Sequence, residues 1–219
     1  MVLQDEKVTF SGRCFSPQEV EILCQAIAHR RSMGIARLKP DPVPREMVEK
    51  ALEAANWAPN HGETEPWRFT VFTGDSRGPL GEAFAEAYRI ATEEREETVQ
   101  PRAYEAHRLK VWSAPVWVSI GMTPAQLADG SLKMTEEEEH LAVGCAVQNF
   151  HLVVAAMGLG GMWLSNFTMT HPHVAQFLGL EPPSRLMGFF PLGYPQIECP
   201  LGERTPLKSK VRWAEDDHR

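Results

Sequence analysis

The four cysteines, Cys14, Cys24, Cys145 and Cys199, form no C-x-x-C pair, which removes the commonest zinc and dithiol signatures. No uninterrupted apolar run is long enough to span a bilayer. The opening residues 1–7 are polar and lack an apolar h-region, so no secretory leader is read and a reducing cytoplasm is expected. Positive charge is in deficit: 22 Lys and Arg against 29 Asp and Glu leave a net charge of -7. That argues against nucleic acid or an anionic membrane as the main partner, while leaving room for a local basic pocket. No P-loop lysine motif is present, and Ser32, Ser113, Ser165 and Ser184 lack a G-x-S-x-G setting. The glycine-rich Gly158-Leu159-Gly160-Gly161 follows a helical pattern and precedes a strand-like one. A dinucleotide fingerprint needs the opposite order, so this stretch reads as a helix C-cap and a close backbone approach. His140, His151 and the His171-Pro172-His173 run offer no third ligand at a recognisable spacing. Surface or capping roles are expected for them, and no metal site.

What is present describes one soluble α+β domain. The chain has 219 residues, 43% apolar and 23% charged, enough for a substantial core. Residues 1–15 read as an N-terminal extension and 16–219 as a single domain. Ser16-Pro17-Gln18-Glu19 is a capping box with proline at the first helical position, and Val20, Leu23, Cys24 and Ile27 follow at helical spacing. Pro44 opens a second helix with Val48, Ala51, Leu52 and Ala55 on one face. Residues 68–74 alternate as a strand. Residues 79–112 form a charged helical excursion that includes the Glu93-to-Glu97 run, read as a solvated face or a cover over a site. Residues 115–121 are a buried strand. Thr135-Glu136-Glu137-Glu138 is a second capping box, opening a long helix through Met157. That helix carries Val143, Val147, Phe150, Val154 and Met157 on one side and many alanines elsewhere, so it is central and closely packed. Cys24 and Cys145 lie in apolar helical patterns and are expected to be buried thiols. An extended segment over 162–167, a short helix over 170–177, a strand over 187–192 and a basic tail over 202–213 complete the chain.

Two segments carry the chemistry. Arg30-Arg31-Ser32 places two guanidinium groups and a hydroxyl together, the donors an anion needs. Ala58-Pro59-Asn60-His61, running into Pro66-Trp67-Arg68-Phe69, is a turn followed by a strand start. Together they suggest a bound phosphate attached to something flat. An Arg-Arg pair taken alone is most often simply solvated. A helix C-terminus also repels anions, so the arginines must overcome the dipole. Trp163-Leu164-Ser165-Asn166 suits either an ordinary buried strand or a loop whose amides face a heteroaromatic edge.

The order Arg30-Arg31-Ser32, Trp57 to His61, Pro66 to Phe69, Gly158 to Trp163 and Gly188 to Pro195 resembles the FMN-dependent nitroreductase family. It is most similar to the small bacterial NAD(P)H nitroreductase branch, over roughly residues 20–205. The resemblance implies an α+β FMN-binding fold with a central mixed or antiparallel sheet surrounded by helices, in an intertwined homodimer with a flavin at each of two interfaces. It implies that Arg30, Arg31 and Ser32 hold the ribityl-phosphate side of FMN, with Arg204 completing the phosphate site. Trp57 and His61 would contact FMN from the partner subunit. Trp163, Leu164 and Ser165 would line the flavin ring, with a backbone amide of Ser165 or Asn166 aimed at its reactive nitrogen. Val153, Val154, Ala155, Ala156, Met157 and Gly158 match a nicotinamide-nucleotide segment, although an apolar helix is a poor place for a dinucleotide.

The implied activity is ping-pong transfer from NADH or NADPH to a nitroaromatic, quinone or similar electron-poor acceptor, with the flavin and no side-chain acid or base carrying the redox chemistry. Three alternatives stay open at this level: a related flavin enzyme performing dehalogenation or flavin breakdown, a noncatalytic FMN-binding or storage protein, and a structural dimer with a degenerate site.

Overall fold

The structure is a computed structural model of the chain and describes residues 14–199 and 202–214. The element order is α1 (Pro17–His29), α2 (Arg45–Asn56), β1 (Trp67–Thr73), α3 (Arg77–Glu93), α4 (Pro101–Leu109), β2 (Val116–Met122), α5 (Glu136–Ala156), β3 (Gly160–Gly161), α6 (Pro172–Phe177) and β4 (Arg185–Gly193). The four strands form one antiparallel sheet in the order β1-β2-β4-β3. The 1–13 part of the N-terminal extension lies outside the described residues, whereas Cys14 and Phe15 are exposed.

Both faces of the sheet are covered, and the period of two along β2 shows how. Val116, Val118, Ile120 and Met122 pack with Val48, Ala51 and Ala55 of α2 and with Val143, Val147, Phe150 and Val154 of α5. The alternate residue Trp117 points the other way, into a second cluster with Leu80 and Phe84 of α3 and Phe189 of β4. Phe84 meets Trp117 and Phe189 edge-on, at centroid separations of 5.8 and 5.0 Å.

The caps read from sequence form as expected. Ser16 and Glu19 close a reciprocal capping box on α1, as do Thr135 and Glu138 on α5. Four glutamates in the first turn of α5 complement its positive end. Gly158, at φ +77°, takes the left-handed position that ends α5. His171 caps α6, its Nδ1 accepting from the His173 amide at 3.2 Å.

Three expectations need correction. The 79–112 stretch is helical, but its first half is not a solvated cover: Leu80, Ala83, Phe84, Ala85, Ala87 and Ala91 of α3 are buried, and Leu80, Phe84 and Ala87 are members of the second core cluster. The charged residues Glu93 to Glu97 are exposed, as read. Cys24 and Cys145 are exposed, because each sits on a helix face that no described residue covers. Helix α1 buries none of its residues: Val20, Ile22, Leu23 and Ile27 all face outward. On α5, Leu141 is 70% exposed although the opposite face is core. Among the described residues no helix is long and apolar enough to cross a membrane.

Candidate functional site

The chain leaves α1 at Arg30, whose backbone turns to an extended conformation (φ -57°, ψ 130°) while its amide still donates to the Ala26 carbonyl. Arg31 answers the dipole problem directly. Its guanidinium donates to the carbonyls of Ala28 and Arg30, both at 2.6 Å, and so neutralises the last carbonyls of the helix. Ser32 is exposed and pairs with Gly161 of β3 in a parallel bridge, and the next amide, Met33, donates to the Gly161 carbonyl at 2.9 Å.

Gly161 is held to glycine by crowding. A Cβ there would run into the Phe190 ring and the Pro191 carbonyl of β4, so only a bare backbone lets β3, the strand that Ser32 bridges, lie this close to β4.

Two residues beyond Gly161 the chain enters the Trp163 loop. The Trp163 indole donates to the Met187 carbonyl at 2.9 Å, and Leu164 and Phe189 exchange both backbone hydrogen bonds at 2.8 Å. Gly188 allows this approach: its φ is +130°, and a Cβ would strike the Leu164 carbonyl. Ser165 and Asn166 follow as exposed residues whose amides make no hydrogen bond within the described residues. The Asn166 side chain turns inward and accepts from the Met169 amide at 3.1 Å. One edge of the sheet therefore carries both the arginine segment and the loop with available donors.

Arg204 comes from the tail to the same edge. The half-buried Arg30 has its pKa pushed down by burial first, then by the charges of Arg31 and Arg204. Three cations gathered this closely make a site that favours a multiply charged anion.

His151 is a further member, weighed from the sequence only as a metal ligand without partners. It lies on the buried side of α5, with its ring on Arg30 and on the Arg31 carbonyl. Its expected surface or capping role is wrong. A lone histidine on an apolar helix face carries no sequence signal of a partner 121 residues away.

The 58–66 turn lies elsewhere. His61 is exposed and its Nδ1 meets Glu138 in the first turn of α5 at 2.8 Å, an interaction that also lowers the Glu138 pKa. Lys133 donates to the Gly62 carbonyl. The buried Glu139 accepts from the Thr64 hydroxyl at 2.6 Å and the Ala125 amide at 3.3 Å. Trp57 is 82% exposed. Glu138 and His151 are thirteen residues apart on α5, which at the helical rise is about 20 Å. Within one chain, His61 and Arg30 are thus held at opposite ends of the long helix.

Of the Val153-to-Gly158 segment, Val154 is buried, and Val153 and Met157 pack on the core. Ala155 and Gly158 open onto a cavity of about 550 Å³ with His29 and Arg31 on its wall. Among the described residues no three His, Cys, Asp or Glu side chains are grouped to hold a metal ion.

The model of the Nitroreductase family matches residues 27–194. The Escherichia coli K12 protein named "Putative NAD(P)H nitroreductase YdjA" is 26% identical over 183 residues, covering 83% of this chain and 93% of its own. A nitroreductase-like family protein from Bacillus cereus superposes with a TM-score of 0.71 at 23% identity, over 93% of this chain and 98% of that one. A Desulfovibrio desulfuricans structure titled a "putative nitroreductase in complex with fmn" superposes at 0.65 with 25% identity, over 90% and 96% of the two chains. The matched span runs from the end of α1 to the end of β4 and takes in the arginine segment, both glycine-dependent contacts and the Trp163 loop. The protein belongs to the nitroreductase family of oxidoreductases.

Proposed function

We propose that the protein is an FMN-dependent NAD(P)H oxidoreductase that reduces nitroaromatic, quinone or similar electron-poor acceptors, acting as a homodimer in the cytoplasm. The observation that carries this reading is the convergence of Arg30, Arg31 and Arg204 beside a loop with two available amides. A dianionic phosphate and a flat hydrogen-bonding ring are the two halves of FMN, and this edge offers a fit to each. Bound FMN supplies the centre that takes up and passes on hydride.

The chain's own residues bind and orient. Arg30, Arg204 and the Ser32 hydroxyl take the phosphate and ribityl side, while Arg31 keeps the helix end from repelling it. Leu164 is pinned by its reciprocal pair of backbone hydrogen bonds with Phe189, which fixes where the chain enters Ser165 and Asn166. One of their amides would donate to the ring of a bound flavin. The Trp163 indole is committed to Met187 and stiffens the loop from below. No acid or base at the ring is required. With FMN bound, NADH or NADPH would supply the electrons and an electron-poor acceptor would take them. Ala155 and Gly158 are the members of the nicotinamide segment with access to a cavity.

A second copy explains several features at once. Helix α1 and the outer side of α5 expose Val20, Ile22, Leu23, Ile27 and Leu141, more large apolar side chains than two helices of a monomer would normally leave wet. A two-fold mate packed there would bring the His61 and Trp57 end of one protomer to the arginine end of the other. All four cysteines are free, as suits a reducing compartment.

The test is an absorbance spectrum of the purified protein, followed by anaerobic addition of NADPH and then NADH. Flavin bands that bleach support a reductase and identify the donor. Bands that persist with both donors refute it and leave a binding or storage protein.

A further inference from the structure

We infer that His151 is a positioning residue of the anion site, a neutral hydrogen-bond acceptor that holds Arg30 in place without cancelling its charge. This rests on the reading of Arg30 as a phosphate ligand.

The geometry is restrictive. The His151 ring is 7% exposed and packs edge-on against Phe190 at 4.9 Å. Its Nδ1 is 3.4 Å from Nη1 of Arg30, and its Nε2 is 3.1 Å from the Arg31 carbonyl oxygen. A guanidinium can only donate and a carbonyl can only accept, so Nδ1 presents a lone pair and Nε2 carries the proton. One neutral tautomer satisfies both contacts. Burial first and the Arg30 charge second favour that neutral form, against the opposing pull of the Arg31 carbonyl. Neighbouring positions on this side of α5, namely Val147, Phe150 and Val154, are apolar core, so packing alone does not call for histidine. Both of its polar contacts go to consecutive residues of the anion segment.

The choice of side chain has a consequence. A carboxylate at this position would also hold Arg30, but as an ion pair, and would remove a positive charge from the site. The imidazole orients the guanidinium and leaves its charge for the ligand. Holding a long side chain in one rotamer before the ligand arrives lowers the entropic cost of binding.

The experiment compares the affinities of the flavin-stripped, refolded-to-native protein for FMN and for riboflavin, which lacks the phosphate. His151→Phe keeps the aromatic volume and should weaken FMN about tenfold, the worth of one hydrogen bond to a charged group, while riboflavin affinity stays nearly constant. His151→Gln can accept from Arg30 and donate to Arg31, and should restore the preference for FMN. In the Arg30→Ala background, His151→Phe should have no further effect, because it acts through Arg30. Equal loss for both flavins would show that the ring merely fills space, and unchanged FMN affinity would show that it does nothing; either result overturns the inference. If Arg30→Ala lowers the FMN preference and His151→Phe does not, only the role of His151 fails. If Arg30→Ala itself leaves the preference untouched, the phosphate reading fails and His151 with it. Nitrogen-15 NMR of the wild-type holoprotein keeps the test open should the phenylalanine variant not fold. A ring protonated at Nε2 alone is expected at neutral pH, and protonation at Nδ1 overturns the inference.

Discussion

Acidification should weaken the flavin-free protein through His151 over a defined pH window. Burial first, and the Arg30 charge second, hold the folded-state pKa of this ring down to about 4, with the Arg31 carbonyl opposing them. In the unfolded chain it titrates near the ordinary histidine value of about 6.5. Above that pH the ring is neutral in both states and contributes nothing to pH dependence. As the pH falls from about 6.5 to about 4, the unfolded chain takes up a proton that the folded one refuses, so stability is lost. At 1.36 kcal/mol per pH unit, the loss approaches about 3 kcal/mol. Carboxylates with lowered pKa, such as Glu86 and Glu138, also lose stability on acidification, so the wild type must be read against His151→Gln, in which they are unchanged. Urea unfolding at one fixed protomer concentration, repeated from pH 7 to pH 4, gives the difference in unfolding free energy between the two proteins. The wild type should lose about 2–4 kcal/mol relative to the variant across that window. A difference that stays flat would mean that the ring is solvated in the fold. A difference that grows in favour of the wild type would mean that the ring is protonated there and paired with an acid, and the whole description of the Arg30 contact would fall.

The other predictions concern separate parts of the molecule. The Thr168 hydroxyl is buried without a hydrogen-bond partner among the described residues, so Thr168→Val should raise stability by about 1 kcal/mol in urea unfolding; a loss would reveal a partner. Glu139, 1% exposed, ties the Thr64 turn and the Ala125 amide to α5, and Glu139→Ala should cost about 2–3 kcal/mol, the value of two bonds to one buried acceptor. A cost within the range of ordinary surface changes would show that the turn is held by other contacts. Leu23→Glu puts a charge in the apolar face of α1, and size-exclusion chromatography should then show a monomer with reduced flavin content if that face joins two copies. An unaltered elution volume would place the interface elsewhere.

Local chemistry was legible in the sequence; what each element touches was not. The capping boxes at Ser16 and Thr135 lie wholly within four residues, and both formed as read. The strands around Val118 and Phe190 announced themselves by β-branched and aromatic content. Helix α3 was misread because its packing surface is largely alanine, at positions 83, 85, 87 and 91. Small side chains bury well but give a weak apolar stripe beside a run of glutamates. Cys24 and Cys145 were misplaced for the opposite reason: their helix faces are apolar enough for burial, yet among the described residues no segment covers them. The arginine segment was visible as a motif, but its support was not. Gly161, the Arg31 helix cap and His151 come from contacts between segments far apart in sequence. This explains why the motif seemed to stand at an unfavourable helix end. Arg31 neutralises the carbonyls, a bare glycine lets the strand approach the sheet, and a neutral imidazole steadies Arg30. The dipole that would have argued against an anion site is thus answered by a residue of the motif itself, which frees Arg30 and Arg204 to set the charge that an incoming phosphate would meet.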